Sequence, residues 1–468
     1  MTMKKIKYLF TLLACLFVHL SWAQNKPNIV LINVDDMGWK DVSYMGSKFY
    51  ETPNIDDLAS QGIIFMNGYA ASANCAPSRA CLMSGQWTPR HGVYTVGPSN
   101  RGKVEDRKLI PTENTWYLSK DFEIIPQVLQ KNGYTTCHAG KWHVDDDPTG
   151  FGFDYNFGGG KNGHPISYYP PYKNVKSLEE EGDMYLTDLL TKKSIGFIEE
   201  AEKPFFLYFS TYAIHTPINP VRSLIPKYRA KEKDGGHKNV NYATMIENLD
   251  RNIGLLIESL KEKGVYENTL IIFTSDNGGL HGITDQKPLR AGKGSYYEGG
   301  IREPFFFVWP NKLKKPRTSD VQITNMDIYP TILAAAGIKD HQGNLDGDDL
   351  LPVLKSKNKK LERTLFWHFP IYLQAYVMKG FVPEHRDPLF RTRPGSAMRK
   401  GNWKLHYYFE DKGVELYDLA SDLGEQNNIA SQHPEVVKEL MAELEQWWKE
   451  TNAPIPTELN PKYQPQSK

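Results

Sequence analysis

The stretch richest in chemistry is Cys75-Ala76-Pro77-Ser78-Arg79-Ala80-Cys81-Leu82-Met83-Ser84-Gly85. Proline suits the first turn of a helix, and the small apolar residues behind it continue one. A helix starting near Pro77 puts Cys75 at its amino end, where unpaired N–H groups and the helix dipole favour a thiolate or a bound anion. Arg79 falls in the next turn and can hold a fixed positive charge at the same point. The same spacing suits an ordinary buried cysteine ahead of a short core helix, so the rest of the chain must decide.

Four polar clusters follow apolar runs. Asp35-Asp36 follows Ile29–Val34, Lys141 and His143 follow Tyr134–Ala139, His215 follows Phe205–Phe209, and Asp276-Asn277 follows Leu270–Thr274. Any one of them can be a turn or a cap. Four at four strand ends point to one rim, because ligands of open α/β sheets bind beyond the carboxyl ends of the strands. Asp35, Asp36, Asp276 and Asn277 are hard oxygen donors, suited to Ca2+, or to Mg2+ in a tighter site, and not to zinc. Three carboxylates exceed the charge of one such ion, so nearby cations are expected, and Arg79, Lys141 and Lys293 can supply them. Lys293 lies in the glycine-rich loop Leu289–Gly300, which lets a lysine approach a small anion closely but taken alone is ordinarily a turn.

Alternation of apolar runs with helical spacing predicts an α/β fold: a large, mostly parallel central sheet flanked by helices. Helices are expected over Thr52–Gln61, Ile125–Asn132, Tyr185–Ala201 and Tyr242–Lys263. The last carries Met245, Leu249, Ile253, Leu256 and Leu260 on one stripe. Gly62–Phe65 reads as another strand. After Leu350 comes a basic linker, Lys355–Lys360. Strand-like runs at 364–369, 396–399, 403–408 and 414–418 and a helix over Pro434–Glu450 then predict a smaller α+β domain with an antiparallel sheet. The expected division is 24–350 for a catalytic domain and 351–468 for the smaller one, with an extended, proline-bearing tail.

With 56 basic and 55 acidic residues the chain has no global field for nucleic acid or a membrane surface, so an anionic substrate needs a local positive pocket. The aromatic content of 12% suits sugar-stacking surfaces and core packing equally well. Residues 1–23 read as a secretory signal, with Lys4, Lys5 and Lys7, the apolar stretch Tyr8–Leu20, and Ser21-Trp22-Ala23 as cleavage site. The stretch is too short for a comfortable membrane span. A lipoprotein box at Leu12–Cys15 is the less favoured alternative. The expected location is therefore the periplasm. Only Cys75, Cys81 and Cys137 then remain, too few for a disulfide framework. Cys81 and Cys137 read as small buried hydrophobes.

Cys-x-Pro-Ser-Arg with its Leu-Met-Ser-Gly ending resembles the signature of the type I sulfatases of the alkaline phosphatase superfamily, with Ser84 where that family usually has Thr. Asn33–Gly38, Gly140–His143, His215–Pro217, Ser275–Gly278 and the Lys293 loop occur in that family's order, and Gly401–Leu405 and Leu416–Leu419 resemble its small domain. The resemblance implies an alkaline phosphatase-like fold and sulfuric ester hydrolysis. It implies that a formylglycine-generating maturation enzyme oxidises Cys75 to Cα-formylglycine, and that Ca2+ is held by Asp35, Asp36, Asp276, Asn277 and the modified Cys75. One hydroxyl of the hydrated aldehyde, acidified by the metal and Arg79, would attack sulfur in line. Lys141 and Lys293 would stabilise the sulfuryl oxygens, His215 would protonate the leaving alcohol, and His143 would help the second hydroxyl to expel sulfate. His91 either braces this site or serves packing, the structural role being preferred. Gly158–Tyr172, with His164, Tyr168, Tyr169 and Tyr172, resembles inserts of bacterial glycan sulfatases that act on galactose-type sugars. A sulfated carbohydrate is thus the implied substrate, best a terminal 4-O-sulfated galactose or N-acetylgalactosamine, with His164 as a sugar contact. His368 and Arg393, from the small domain, are further candidate sugar contacts, with a surface or packing role equally open to both. A phosphoester or phosphonate monoester hydrolase of the same superfamily, and a non-catalytic glycan-binding relative, stay open.

Overall fold

The computed structural model describes residues 26–178, 183–202, 204–313, 315–376, 384–386 and 388–465. The expected signal segment, with the Cys15 alternative, lies outside these residues. Among those described, no helix is long and apolar enough to cross a membrane.

The main sheet has eight strands: β1 (Asn28–Val34), β2 (Ile63–Tyr69), β3 (Thr135–Gly140), β4 (Tyr155–Phe157), β5 (Phe205–Ser210), β6 (Thr269–Ser275), β7 (Phe306–Val308) and β8 (Arg317–Thr324). Their order is β4-β3-β5-β1-β6-β7-β2-β8. The central strands β1, β5 and β6 are buried at every position, as continuous apolar runs require when helices cover both faces. On one side Val30, Ile32 and Val34 pack with the helices Pro53–Ser60, Leu186–Glu200 and Val240–Glu262. The expected stripe Met245, Leu249, Ile253, Leu256 and Leu260 is wholly buried there, each residue contributing about 1.5–3 kcal/mol. On the other side Ile29 and Leu31 pack with the helices Ile125–Lys131 and Ile328–Ala336.

All neighbouring pairs are parallel except those made by β7, which runs against β6 and β2. The reversal has a simple cause. After β6 the chain stays on the carboxyl-end rim through the Lys293 loop, so the next strand must descend from there. Strands β4, β7 and β8 escaped the sequence reading: β4 and β7 have three residues each, and β8 is a half-exposed edge strand with the polar sequence RTSDVQIT.

A second sheet, of β9 (Thr364–Phe369), β12 (Gly395–Lys400), β13 (Trp403–Tyr408) and β14 (Val414–Asp418), is antiparallel in the order β14-β13-β12-β9. A short ribbon of β10 (Leu373–Gln374) and β11 (Phe390–Thr392) precedes β12. The helix Pro434–Thr451 buries Leu440, Leu444, Trp447 and Trp448 in a cluster that also holds Cys81, Trp87 and Met326 from the first part of the chain. The two sheets therefore share apolar core.

They also share buried charge. Glu298 accepts hydrogen bonds from Tyr69 Oη (2.8 Å), Arg302 Nε (2.6 Å) and Lys404 Nζ (2.7 Å), and Lys404 reaches Glu425 at 3.1 Å. Lys404, Glu298 and Glu425 are fully buried. Burial works against the Glu298 charge, yet Lys404 and Arg302 hold its carboxyl well below the usual carboxylate range. Removing one partner of such a network leaves an uncompensated buried charge. Lys404→Met is expected to lower stability by about 3–5 kcal/mol in chemical denaturation. The Glu298 contribution is full above the unfolded-state carboxylate pKa and declines as the pH falls below about 4.3. A Lys404→Met protein as stable as the parent at pH 7 would contradict this account.

Candidate active site

The site is built where β1, β3, β5 and β6 end. Asp35 is tied to the chain leaving β5, its N–H donating to Ala213 O at 3.1 Å and its carbonyl accepting from Ile214 N–H at 2.9 Å. Asp36 adopts a left-handed φ of 62°, which turns the chain off the strand, and its N–H donates to Asp276 Oδ1 at 3.2 Å. Asn277 Nδ2 donates to Asp36 Oδ1 at 2.8 Å.

Each carboxylate has its own buried cation. Lys141 Nζ lies 2.9 and 2.8 Å from the two oxygens of Asp35, Lys293 Nζ lies 2.6 Å from Asp36 Oδ1, and Arg79 Nε and Nη2 each lie 2.8 Å from Asp276 Oδ2. Arg79 Nη1 also donates to Lys141 O at 2.9 Å and to Ser210 Oγ. Burial would raise all three carboxyls. Lys293 and His215 nevertheless hold Asp36 well below its ordinary range, and Arg79 with Lys141 lowers Asp276. Asp35 goes the other way: burial, with Asp276 and Asp36 close by, pushes it well up despite Lys141. The donor set fits a hard divalent cation on two observations. Asn277 Oδ1 is buried with no hydrogen-bond partner, and carboxylates are crowded enough to resist ionising together. Asp35, Asp36 and His215 bring ligand atoms within 4.8 Å of one another.

Cys75 is the first residue of the helix Cys75–Ser84, two residues earlier than Pro77, and every residue of that helix is buried. Gly85, at φ 66°, ends it with an N–H bond to Cys81 O, a turn that glycine enters without a Cβ clash. Ser84 returns its hydroxyl to Ala80 O at 2.7 Å, a bond that threonine makes equally well. Cys75 opens into a cleft of about 300 Å³ together with His143, His164, His215 and Lys293. His215 Nδ1–H donates to Thr216 O at 2.6 Å, which leaves Nε2 3.6 Å from Asp36 Oδ2. Burial and the Lys293 charge lower its pKa to about 3. Burial, Lys141 and Arg79 likewise hold His143 well below its ordinary value, and its Nδ1 is buried without a partner. His164 stacks on His215 with ring centroids 5.8 Å apart. The loop carrying His164 packs onto His143 at Gly163, where a Cβ would fall 2.5 Å from the His143 ring.

Asp35, Arg79, Lys141, Asp276 and Asn277 thus lie behind the cleft, joined to it through Asp36. Two expected sugar contacts lie elsewhere and do not face the cleft. His368 is buried, its Nδ1 bonded to Ser396 Oγ (2.8 Å) and its Nε2 to Pro454 O (2.9 Å), because it faces the helix side of the small sheet in register with Ser396. Arg393 pairs with Glu410 at 2.8 Å and does not line the cleft. His91 accepts from Val93 N–H (3.1 Å) and contacts Cys81 Sγ (3.4 Å), a packing role. Tyr168 and Tyr169 spend their hydroxyls on the carbonyls of His215 and Pro220, so they hold the insert in place. Cleft residues that sequence reasoning missed are Asn74, Thr95, Lys161, Asn162, Arg101, Tyr376 and Arg391. Asn74 adjoins Cys75 and could have been found from that alone, whereas Arg101, Tyr376 and Arg391 stand in no motif.

Residues 27–338 match the family model described as Sulfatase, and residues 291–450 match N-sulphoglucosamine sulphohydrolase, C-terminal. The chain belongs to the sulfatase family. Its chemistry is sulfuric ester hydrolysis, on the alkaline phosphatase-type fold. A sulfatase of Formosa agariphila is 33% identical over 92% of this chain and 90% of its own length. The N-acetylgalactosamine-6-sulfatase of Homo sapiens is 32% identical over 74% of this chain and 69% of its own. The crystal structure of Ps i-CgsB in complex with k-i-k-neocarrahexaose aligns with a TM-score of 0.72 and 31% identity, covering 90% of this chain and 92% of that one.

The buried acid cluster generates a direct expectation. Titrating metal-stripped protein with Ca2+ or Mg2+ should raise its melting temperature saturably, by the equivalent of about 2.7 kcal/mol at a hundredfold excess over Kd, and Asp36→Asn should diminish the shift. A melting temperature indifferent to both ions would refute the cation site.

Proposed function

We propose that this protein hydrolyses sulfate monoesters on carbohydrate with a nucleophile made by oxidising Cys75 to Cα-formylglycine, beside a Ca2+ ion, and that it works in the periplasm after export. The observation that carries the proposal is that Cys75, at a helix start, shares one cleft with Lys293, His143 and His215 while Arg79 from the next turn is locked to Asp276. Support for a carbohydrate comes from the names of two relatives, an N-acetylgalactosamine-6-sulfatase and a structure solved with neocarrahexaose.

When present, the hydrated aldehyde supplies two hydroxyls on one carbon and the cation acidifies them, with Asp35, Asp36, Asp276 and Asn277 as the residues to hold the ion. The chain's own groups do the rest. Lys293 in the cleft, with Lys141 in the layer behind it, supplies positive charge toward the sulfuryl oxygens as they gain negative charge, at no cost of reorganisation because both are already buried and anchored. His215 has its Nδ1–H committed to Thr216 O, so proton exchange falls to Nε2. A bound sulfate ester sets negative charge against that nitrogen, raises its pKa and lets it carry a proton to the leaving alcohol. His143, neutral and with Nδ1 unpartnered, can take the proton whose loss releases sulfate. A terminal 4-O-sulfated galactose or N-acetylgalactosamine is the proposed substrate, with His164 beside the sugar. On this reading residues 24–350 carry the chemistry and 351–468 supply a cleft wall through Tyr376 and Arg391.

Two measurements test it. In protein made alongside a formylglycine-generating enzyme, mass spectrometry of the tryptic peptide Phe49–Arg79 should show Cys75 converted to the aldehyde. That protein should release sulfate from 4-O-sulfated N-acetylgalactosamine faster than from the 6-O-sulfated isomer, and faster than it releases phosphate from the matched phosphate ester. Cys75→Ala should cut turnover by about 10⁴-fold or more. An intact thiol in that preparation, or preferred phosphate release, would count against the mechanism.

A further inference from the structure

The cleft holds more positive charge than one sulfate ester uses. Beyond Lys293, Arg101 and Arg391 also line it. Arg391 is only 5% exposed. It donates through Nε to Gln374 O (3.1 Å) and through Nη1 to Lys293 O (3.3 Å), and its guanidinium lies 3.7 Å from the Tyr376 ring centre. Arg101 is part-buried and donates to Val96 O at 3.3 Å. Among the described residues neither arginine has a carboxylate partner in hydrogen-bond or ion-pair range. The acid whose field reaches Arg391 is Asp36, which is already paired with Lys293 at 2.6 Å. Lys161, on the cleft's outer side, pairs with Asp146 at 3.6 Å.

Arg79, Lys141, Lys293, Arg302 and Lys404 are each buried on an acid, whereas Arg391, like the buried Arg399, rests on neutral oxygens. Two arginines on one cleft wall, close enough to repel each other and held on carbonyl oxygens, cost stability unless an anion arrives between them. Both line the cleft into which Cys75 opens, where Lys293 already faces the sulfate being cleaved.

We propose that the preferred substrate carries a second anionic group, a further sulfate ester or a uronate carboxylate on the same or the adjoining sugar, and that Arg101 and Arg391 bind it. The inference rests on the carbohydrate sulfatase reading and narrows its substrate class to dianionic glycan units. A planar guanidinium matches either oxyanion with paired N–H donors.

The test compares equilibrium binding by calorimetry to the Cys75→Ala protein, so that turnover does not interfere. The ligands are three disaccharides: one with the reacting sulfate alone, one with a second sulfate and one with a neighbouring uronate. A dianionic ligand should bind about 10- to 100-fold more tightly than the monosulfated one, and whichever does so identifies the anion. Arg101→Gln and Arg391→Gln should each reduce that ratio by about fivefold or more. Should Arg391→Gln fail to fold, since its side chain also braces two loop carbonyls, Arg101→Gln decides alone. Affinities equal within about threefold for all three ligands, or a preference that survives Arg101→Gln, would overturn the proposal. Sulfate release by the unmutated protein reports separately: turnover without a binding preference sinks this inference and spares the sulfatase reading, and the opposite result does the reverse.

Discussion

Everything in the site depends on three carboxylates and three cations being buried together. Asp35 with Lys141, Asp36 with Lys293 and Asp276 with Arg79 occupy a space where a lone charge would cost several kcal/mol. The pairing makes the burial tolerable without making it comfortable, since Asp35 still resists its charge. That residual crowding, with the unpartnered Asn277 oxygen, is what a divalent cation relieves. The same lattice fixes the approach of an anion. Lys293 points into the cleft while bonded to Asp36, and Arg79 cannot swing away from the helix that begins at Cys75.

The smaller sheet is part of this arrangement. The Lys293 loop is clamped from that side: Arg290 donates to Tyr417 Oη at 3.3 Å and to Glu425 O at 2.9 Å, and Tyr297 Oη donates to Glu415 at 2.7 Å. The helix that follows the loop opens with Glu298, the acid that receives Lys404. The Gly401–Leu405 and Leu416–Leu419 segments thereby acquire a physical purpose. They hold from behind the loop whose lysine faces the reacting anion. Arg391, on the ribbon beside the small sheet, extends the same wall.

A net formal charge of +1 conceals this concentration of local charge. The field that matters is set over a few ångströms of low-dielectric cleft, where each fixed cation acts far more strongly than it would in water. It also explains why His143 and His215 stay neutral. Burial, Lys293 and Lys141 all oppose a further positive charge, so proton transfer waits for the substrate's own anion.

The alternation of strands and helices, the stripe of the helix Val240–Glu262, and the acids, lysines and histidines at strand ends were legible in the order of the residues. These are local properties: periodicity of 2 or 3.6, and polar residues where a buried strand must stop. Motif order was equally legible, and it carried the family. Which face each remote side chain took emerged only with packing. His368 and Arg393 were reasonable candidates by type, but an antiparallel strand turns alternate residues to opposite sides, and a neighbouring acid claims an arginine wherever folding brings one. Arg101 and Arg391 show the converse. They come together in the cleft lining from segments far apart in the chain, and no local pattern announces a pair that exists only once the chain has folded.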